Sequence, residues 1–471
     1  MIDIFIIIIY FALMLIVGWR SRKHTAESYW VADRQYGTAR ISASLVATIF
    51  GASSTIGIIG LGYTQGLTAS WWLLTGAVAL ILFGLFLATR VRELGVYTLP
   101  DILSKAYNKK TAIPAGLMIT IAWCGVIAAQ MVAGGRLLGG LLNIDFDLAL
   151  AVISFIFILY TFWGGQLSVI KTDYWQLLLF VAGLFFMFLF LAAGDGNMWK
   201  VIPSSHLYFP INNIFGWYDL LIYYPLIIGL PYLVGPDIYS RVLSAKDGPT
   251  AKKSAFIASM IIVPLAFLLA GIGIMAYVKI PGIVPETAFS EVLSNYIPVG
   301  MKGIIVAGFL GAIMSSADTC LVSASTIFTL NVLKPLRRKS GKDDLKITRT
   351  VLIVVGIISW LVATFEKGII SSLLLGYTVF VGGVVVPTLA SFWKEKLKIS
   401  PNGALWAIII GGSAAILGKF DNGNLMKLIL PGTLEHFFAN VLGYRYLSIL
   451  PIFLSALTLI IVSRFSYKDD V

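Results

Sequence analysis

Tyr223-Tyr-Pro225-Leu-Ile-Ile-Gly229-Leu-Pro231-Tyr232-Leu-Val-Gly235-Pro236-Asp237 is an apolar stretch that cannot form a straight helix. Each interior proline removes a backbone hydrogen bond and clashes with the preceding turn, and this stretch holds three prolines with two glycines. A counterpart lies earlier in the chain. Ile41 to Tyr63 is apolar over a spanning length but carries Gly51-Ala52-Ser53-Ser54-Thr55 at its centre. Glycines and hydroxyls at mid-depth suit a break, where freed carbonyls meet an ion or water rather than lipid. The other reading is a small-residue face for close helix packing, which suits the following Gly57, Gly60 and Gly62. Paired interruptions in corresponding halves point to an inverted-repeat transporter with its substrate site between the breaks.

Composition agrees with a membrane setting. Hydrophobic residues make up 58% of the 471 and charged residues 12%, against roughly 25% charged in soluble domains; mean hydropathy is +0.89. Apolar runs long enough to cross roughly 30 Å of hydrocarbon as helices recur, and alternating barrel strands do not. Thirteen spans are expected, near 2–19, 39–64, 71–90, 112–132, 147–163, 173–194, 217–236, 254–278, 299–331, 347–365, 369–392, 404–418 and 446–463. The broken segments are the second and seventh, which divides one transmembrane domain into a first helix and loop (1–38), repeat one (39–194), repeat two (217–392) and two C-terminal helices (393–471).

The first run lacks a basic leader and a cleavage site, so it reads as a retained helix with its N-terminus outside. On that topology 27 of the 35 Lys and Arg residues, Lys171 and Arg241 among them, fall in cytoplasmic segments. Such asymmetry is the positive-inside rule, and it puts the C-terminus in the cytoplasm. The net charge of +12 is thus a topology signal, with basic runs such as Arg337-Arg338-Lys339 offering at most contact with anionic lipid. Neither a nucleic-acid partner nor an obligate protein partner is indicated. Two cysteines inside spans and three histidines on separate loops, His24, His206 and His436, give no disulfide framework or metal spacing. Nothing resembles a nucleophile elbow or phosphate loop, so an enzyme is not expected.

The ninth span carries a polar stripe, Gly311-Ala312-Ile-Met-Ser315-Ser316-Ala-Asp318-Thr319-Cys-Leu-Val-Ser323. Ala312, Ser315, Ser316, Thr319, Ser323 and Thr326 share one helical face. Two adjacent hydroxyls with carbonyls from a broken neighbour make an oxygen cage for a hard cation such as sodium. The alternative is hydroxyls bonding back to carbonyls one turn earlier.

Trp163-Gly164-Gly165-Gln-Leu-Ser-Val-Ile-Lys171-Thr172-Asp173-Tyr-Trp-Gln176, at the meeting of spans five and six, resembles a segment of the sodium:solute symporter family. Four more stretches agree in order: Ser44 to Ser53, Gly235-Pro236-Asp237-Ile-Tyr-Ser-Arg241 with Ala245-Lys246, Ser315-Ser316-Ala-Asp318, and Pro387 with Phe392-Trp393-Lys394. The resemblance covers about residues 1–395. It implies an all-α integral membrane protein with a LeuT-like core of five plus five helices, two of them discontinuous. It also implies sodium as coupling ion, held by carbonyls of Ala47, Phe50 and Ala312 and hydroxyls of Ser315 and Ser316. Some members hold a second sodium at the position of Asp173; here the turn below the first site offers Asp318 and Thr319, a carboxylate replacing one hydroxyl. Asp173 and Asp318 would hold a cation, share a proton, or contact Lys171.

Substrate is expected near Ser53, Ser54, Thr55, Tyr232, Gly235 and Asp237. Family members that carry sugars have Gln and Glu where this chain has Ser54 and Leu73, which disfavours sugar. Hydroxyls and open helix N-termini suit an amino acid such as proline, or a small carboxylate. The expected activity is sodium-coupled symport of a small organic solute across the plasma (inner) membrane by alternating access. Proton coupling on the same fold and a solute-gated channel or sensor are the alternatives.

Overall fold

Long apolar runs become long helices because hydrocarbon leaves the backbone no partner but itself. In a computed structural model that describes residues 2–21, 25–193, 198–337, 343–420, 432 and 446–466, the secondary structure is helical apart from one isolated bridge between Tyr36 and Ala245. His24, His436, Arg338, Lys339 and Lys468 lie outside the described residues. The two C-terminal helices are Pro401–Phe420 and Tyr446–Ser466.

Among the described residues eleven helical runs are long and apolar enough to cross a membrane, against the thirteen expected. The difference arises at two glycines. Ser53–Phe86 is a single run of 34 residues by length and composition, yet Gly66 inside it has φ 65° and ψ −140° and turns the chain between Ile58–Gln65 and Trp71–Phe86. Phe146–Ala192 spans 47 residues, about 70 Å if straight. It is not straight, because Gly165 has φ 56° and ψ −159°, a conformation open only to glycine. Tyr160 and Thr172 hydroxyls lie 2.9 Å apart, although twelve residues along one helix would separate them by about 18 Å. The chain therefore folds back at Gly165.

Both interruptions are present. Helix Thr38–Ile49 ends at Phe50, whose φ −78° and ψ 56° form an inverse γ-turn closed by the Gly51 N–H on the Ile49 carbonyl at 2.9 Å. Ser53–Gly57 then coils with wide i→i+5 turns into Ile58–Gln65. The second segment runs Asp219–Tyr223, Pro225–Gly229 and Leu230–Val234, extends at Gly235 (φ −60°, ψ 135°) and restarts as Pro236–Leu243. Pro225, Pro231 and Pro236 each sit at the start of one of these pieces, where a missing N–H costs nothing. The packing reading holds for Gly60 and Gly62, where a Cβ would meet the Pro285 carbonyl oxygen at 2.8 Å and that of Ala270 at 2.6 Å, but not for Gly57, where it would meet only ordinary contacts from 3.6 Å.

Helix Met301–Ile327 is the axis of the bundle, buried at every residue from Ile305 to Ile327. It packs against Phe146–Ala192 on one side and Lys109–Leu142 on the other, with Thr38–Ile49 and Pro236–Leu243 across from it. Connections gather on two faces. On one, Arg34 donates to the Val96 carbonyl at 2.9 Å and Arg92 to those of Ala245 (2.5 Å) and Lys246 (3.1 Å). On the other, Arg136 meets Glu286 at 2.6 Å and the Lys367 carbonyl at 2.7 Å, and Lys367 meets Asp147 at 3.3 Å.

Candidate functional site

The two breaks face each other across a narrow cavity of ≈ 20 Å³, about the room of one water. Ser53, Ser54, Tyr232 and Asp237 line it together with Thr48, Gly51, Gln130, Ser316, Cys320 and Tyr377. The Ser54 and Tyr232 hydroxyls, one from each break, stand 3.4 Å apart. Two expected residues do not line it. Thr55 turns its hydroxyl back to the Gly51 carbonyl at 2.7 Å, and Gly235 serves as the hinge behind Asp237.

Unwinding at Phe50 redirects a set of backbone groups. Gly51 N–H bonds Ile49 rather than Ala47, and Ala52 N–H goes to Gln130 Oε1 at 2.8 Å rather than to Thr48. Carbonyls of the last helical turn are thereby released, and the Ser316 hydroxyl donates to that of Thr48 at 2.5 Å. A Cβ at position 51 would lie 2.8 Å from both Gln130 Oε1 and Ser316 Oγ, so only glycine lets the three elements meet. Ser315 donates to Asp173 Oδ1 at 2.6 Å. With their protons committed outward, both serine oxygens keep lone pairs for a cation. Ala47, Phe50, Ala312, Ser315 and Ser316 are all buried within this region. Of the stripe, Thr319 does bond back, to the Ser315 carbonyl at 2.7 Å, whereas Ser315 and Ser316 bond across to other elements.

Below the serines lies a buried charge cluster. Asp173 Oδ2 accepts from Ser44 and pairs with Arg241 Nη2 at 3.2 Å, both side chains at 0% exposure. Arg241 also donates to Thr48 Oγ1 at 2.9 Å and to Thr319 Oγ1. Its guanidinium thus ties together Thr38–Ile49, Phe146–Ala192 and Met301–Ile327 from Pro236–Leu243. Two expectations are corrected here. Lys171 is exposed and does not reach Asp173, and Arg241, counted as a cytoplasmic charge, is wholly interior. The reason is the break: after Gly235 the chain is still inside the bundle, so a charge six residues on remains at depth. Asp318 stands apart from this pair, taking the Thr161 hydroxyl at 2.6 Å on Oδ1 while Oδ2 has no hydrogen-bond partner.

Arg241, Gln130 and Tyr377 were missed as site residues. Arg241 lay within the motif following the second break but was assigned there to a cytoplasmic segment. For Gln130 and Tyr377, which lie in mostly apolar spans, no local signal marks a partner.

The sequence model of the "Sodium:solute symporter family" matches residues 29–411. A sodium/glucose cotransporter of Vibrio parahaemolyticus is 27% identical, over 89% of this chain and 85% of its own length. The high-affinity proline transporter PutP of Bacillus subtilis (strain 168) is 26% identical, over 93% and 96%. Among solved structures, a Na+-coupled sialic acid symporter in a substrate-bound outward-open state superposes with a TM-score of 0.80 at 19% identity, covering 99% of this chain and 98% of that one. A family match across most of the chain, together with this fold, assigns it: the chain belongs to the sodium:solute symporter family.

Proposed function

We propose that this symporter takes up an amino acid such as proline with sodium, bound between the two breaks. The observation that carries this reading is the junction of Ser316 with the released Thr48 carbonyl, beside a cavity shared by both broken helices. Ala47, Phe50 and Ala312 would supply sodium with carbonyl oxygens, and Ser315 and Ser316 with hydroxyls. Asp173 would act on that site through the hydrogen bond it accepts from Ser315. Arg241 already neutralises Asp173, which argues against a second sodium at Asp173, Asp318 and Thr319. In the cavity Asp237 offers an acceptor for an ammonium group, and Ser53, Ser54 and the Gln130 amide offer donors for a carboxylate. That pairing favours a zwitterionic amino acid over a simple carboxylate, whose charge Asp237 would repel.

As a family member the chain is a multi-pass, sodium-coupled solute symporter and not an enzyme. In the plasma membrane, with the N-terminus outside and the C-terminus cytoplasmic, repeats 39–194 and 217–392 would rock about this site. Entry of each sodium would contribute roughly 2.3 kcal/mol per 100 mV to accumulation. Uptake into vesicles, competed by amino acids, carboxylates, amines and sugars with and without sodium, tests the solute class. Alanine at both Ser315 and Ser316 raises the sodium concentration for half-maximal uptake at least tenfold; unchanged sodium dependence sinks the ion assignment. Uptake that survives sodium replacement but collapses with the proton gradient would make the coupling ion a proton.

A further inference from the structure

A deep apolar recess lies away from the transport site, on the flank of the bundle. It holds ≈ 470 Å³ between Lys109–Leu142, Asp344–Glu366, Ile369–Phe380 and Pro401–Phe420. A cavity of about 10–15 Å³ already holds a water, so this is room for a chain-like molecule. Val351, Val355, Cys124 and Val379 form a buried floor, while Ile121 at 42% and Val354 at 51% exposure form open rims. Thr120 and Thr350 are the hydroxyl residues of the lining, and each bonds back to its own helix, at 2.8 Å and 3.1 Å, so neither hydroxyl proton is offered to an occupant. Along Asp344–Glu366 the lining runs from Thr350 to Val362, about 18 Å, close to one leaflet's share of the roughly 30 Å core.

One charge lines the recess: Lys419. It lies 18 residues beyond Pro401, the start of its helix, about 27 Å along the axis and hence at the hydrocarbon boundary. Val362 approaches the same end, which also carries the exposed Glu366 and Lys367. An apolar trough of leaflet length, open to hydrocarbon and closed at its polar end by an ammonium group, has the form of a phospholipid. We propose that this groove holds one acyl chain of an anionic phospholipid, with Lys419 on the headgroup phosphate.

The test is native mass spectrometry of protein purified in mild detergent from vesicles of phosphatidylglycerol and phosphatidylcholine. Wild type retains one tightly held phospholipid, preferentially phosphatidylglycerol. Ile121→Trp on the rim and Val355→Phe on the floor each reduce that retained lipid at least fivefold, whereas Leu85→Trp, at an exposed site elsewhere, leaves it unchanged. Lys419→Ala keeps a bound lipid but lowers the preference for phosphatidylglycerol at least threefold. Sodium-dependent thermal stabilisation verifies that each variant is folded, and the rim variant alone suffices if the floor variant is not. Undiminished lipid in the groove variants overturns the proposal. Equal loss in Leu85→Trp overturns it too, because retention is then unspecific.

Discussion

Arg241 and Asp173 stand 3.2 Å apart with both side chains wholly buried, and most of their remaining valences are filled, Arg241 Nη1 alone having no hydrogen-bond partner. Ser315 and Ser44 satisfy the carboxylate, while Thr48 and Thr319 take two guanidinium donors. Removing one member of such a pair leaves an unpaired interior charge, at a cost of about 3–5 kcal/mol, whereas removing both lets the site become apolar. Arg241→Met and Asp173→Asn should therefore each lower thermal stability strongly, and the double variant should lose less than the sum by about 2 kcal/mol or more. A melting series in one detergent at fixed sodium measures this; additive losses would mean the two charges do not act as a pair. At this scale the sequence is only partly legible. Ser315 and Ser316 stand out because hydroxyls in hydrocarbon need a reason, and in the structure they bond to the Asp173 carboxylate and the Thr48 carbonyl. Arg241 did not, since hydropathy windows end at Pro236 and hand the following charge to a cytoplasmic loop.

Where a helix breaks was readable from residue chemistry, because proline, glycine and hydroxyl residues act on the backbone they belong to. What satisfies the break was not, because the partner comes from another element. Gln130, in Lys109–Leu142, gives its Oε1 to the Ala52 N–H and leaves its NH2 group as a donor beside the cavity. Leucine there would strand a buried N–H at a cost of about 1–3 kcal/mol, and the chain would recover it by rewinding toward a continuous helix. Rewinding withdraws the carbonyls freed at the break. Gln130→Leu is thus expected to weaken the apparent affinities for sodium and solute together, each by at least fivefold. Gln130→Glu retains the acceptor oxygen and should spare sodium more than solute. Flux measured across a grid of sodium and solute concentrations separates the two; a leucine variant that affects solute alone would reduce Gln130 to a cavity contact.

Across the whole molecule the fold was legible because hydrocarbon allows so few architectures, and the span count was less so because helices join or split at single glycines. The expected span boundaries at 64–71 and 163–173 enclose Gly66 and Gly165, whose positive φ angles turn the chain inside runs that are continuous by length and composition. Sidedness belongs to this scale as well. Arg34, Arg92 and Lys246 gather on one face, and Arg136, Glu286 and Lys367 on the other. The first face holds the loops that contain most of the chain's positive charge, and the positive-inside rule would turn that face toward the cytoplasm. Exposed positions near each face make that testable: Val284 and Phe365 toward the second, Leu336 and Leu397 toward the first. With Cys124 and Cys320, both buried, changed to serine, single cysteines replace these residues one at a time. Membrane-impermeant maleimide added to intact cells should label positions 284 and 365, and should reach 336 and 397 only after permeabilisation. The reverse pattern would invert the molecule, and inward sodium would then approach from the Arg241 side.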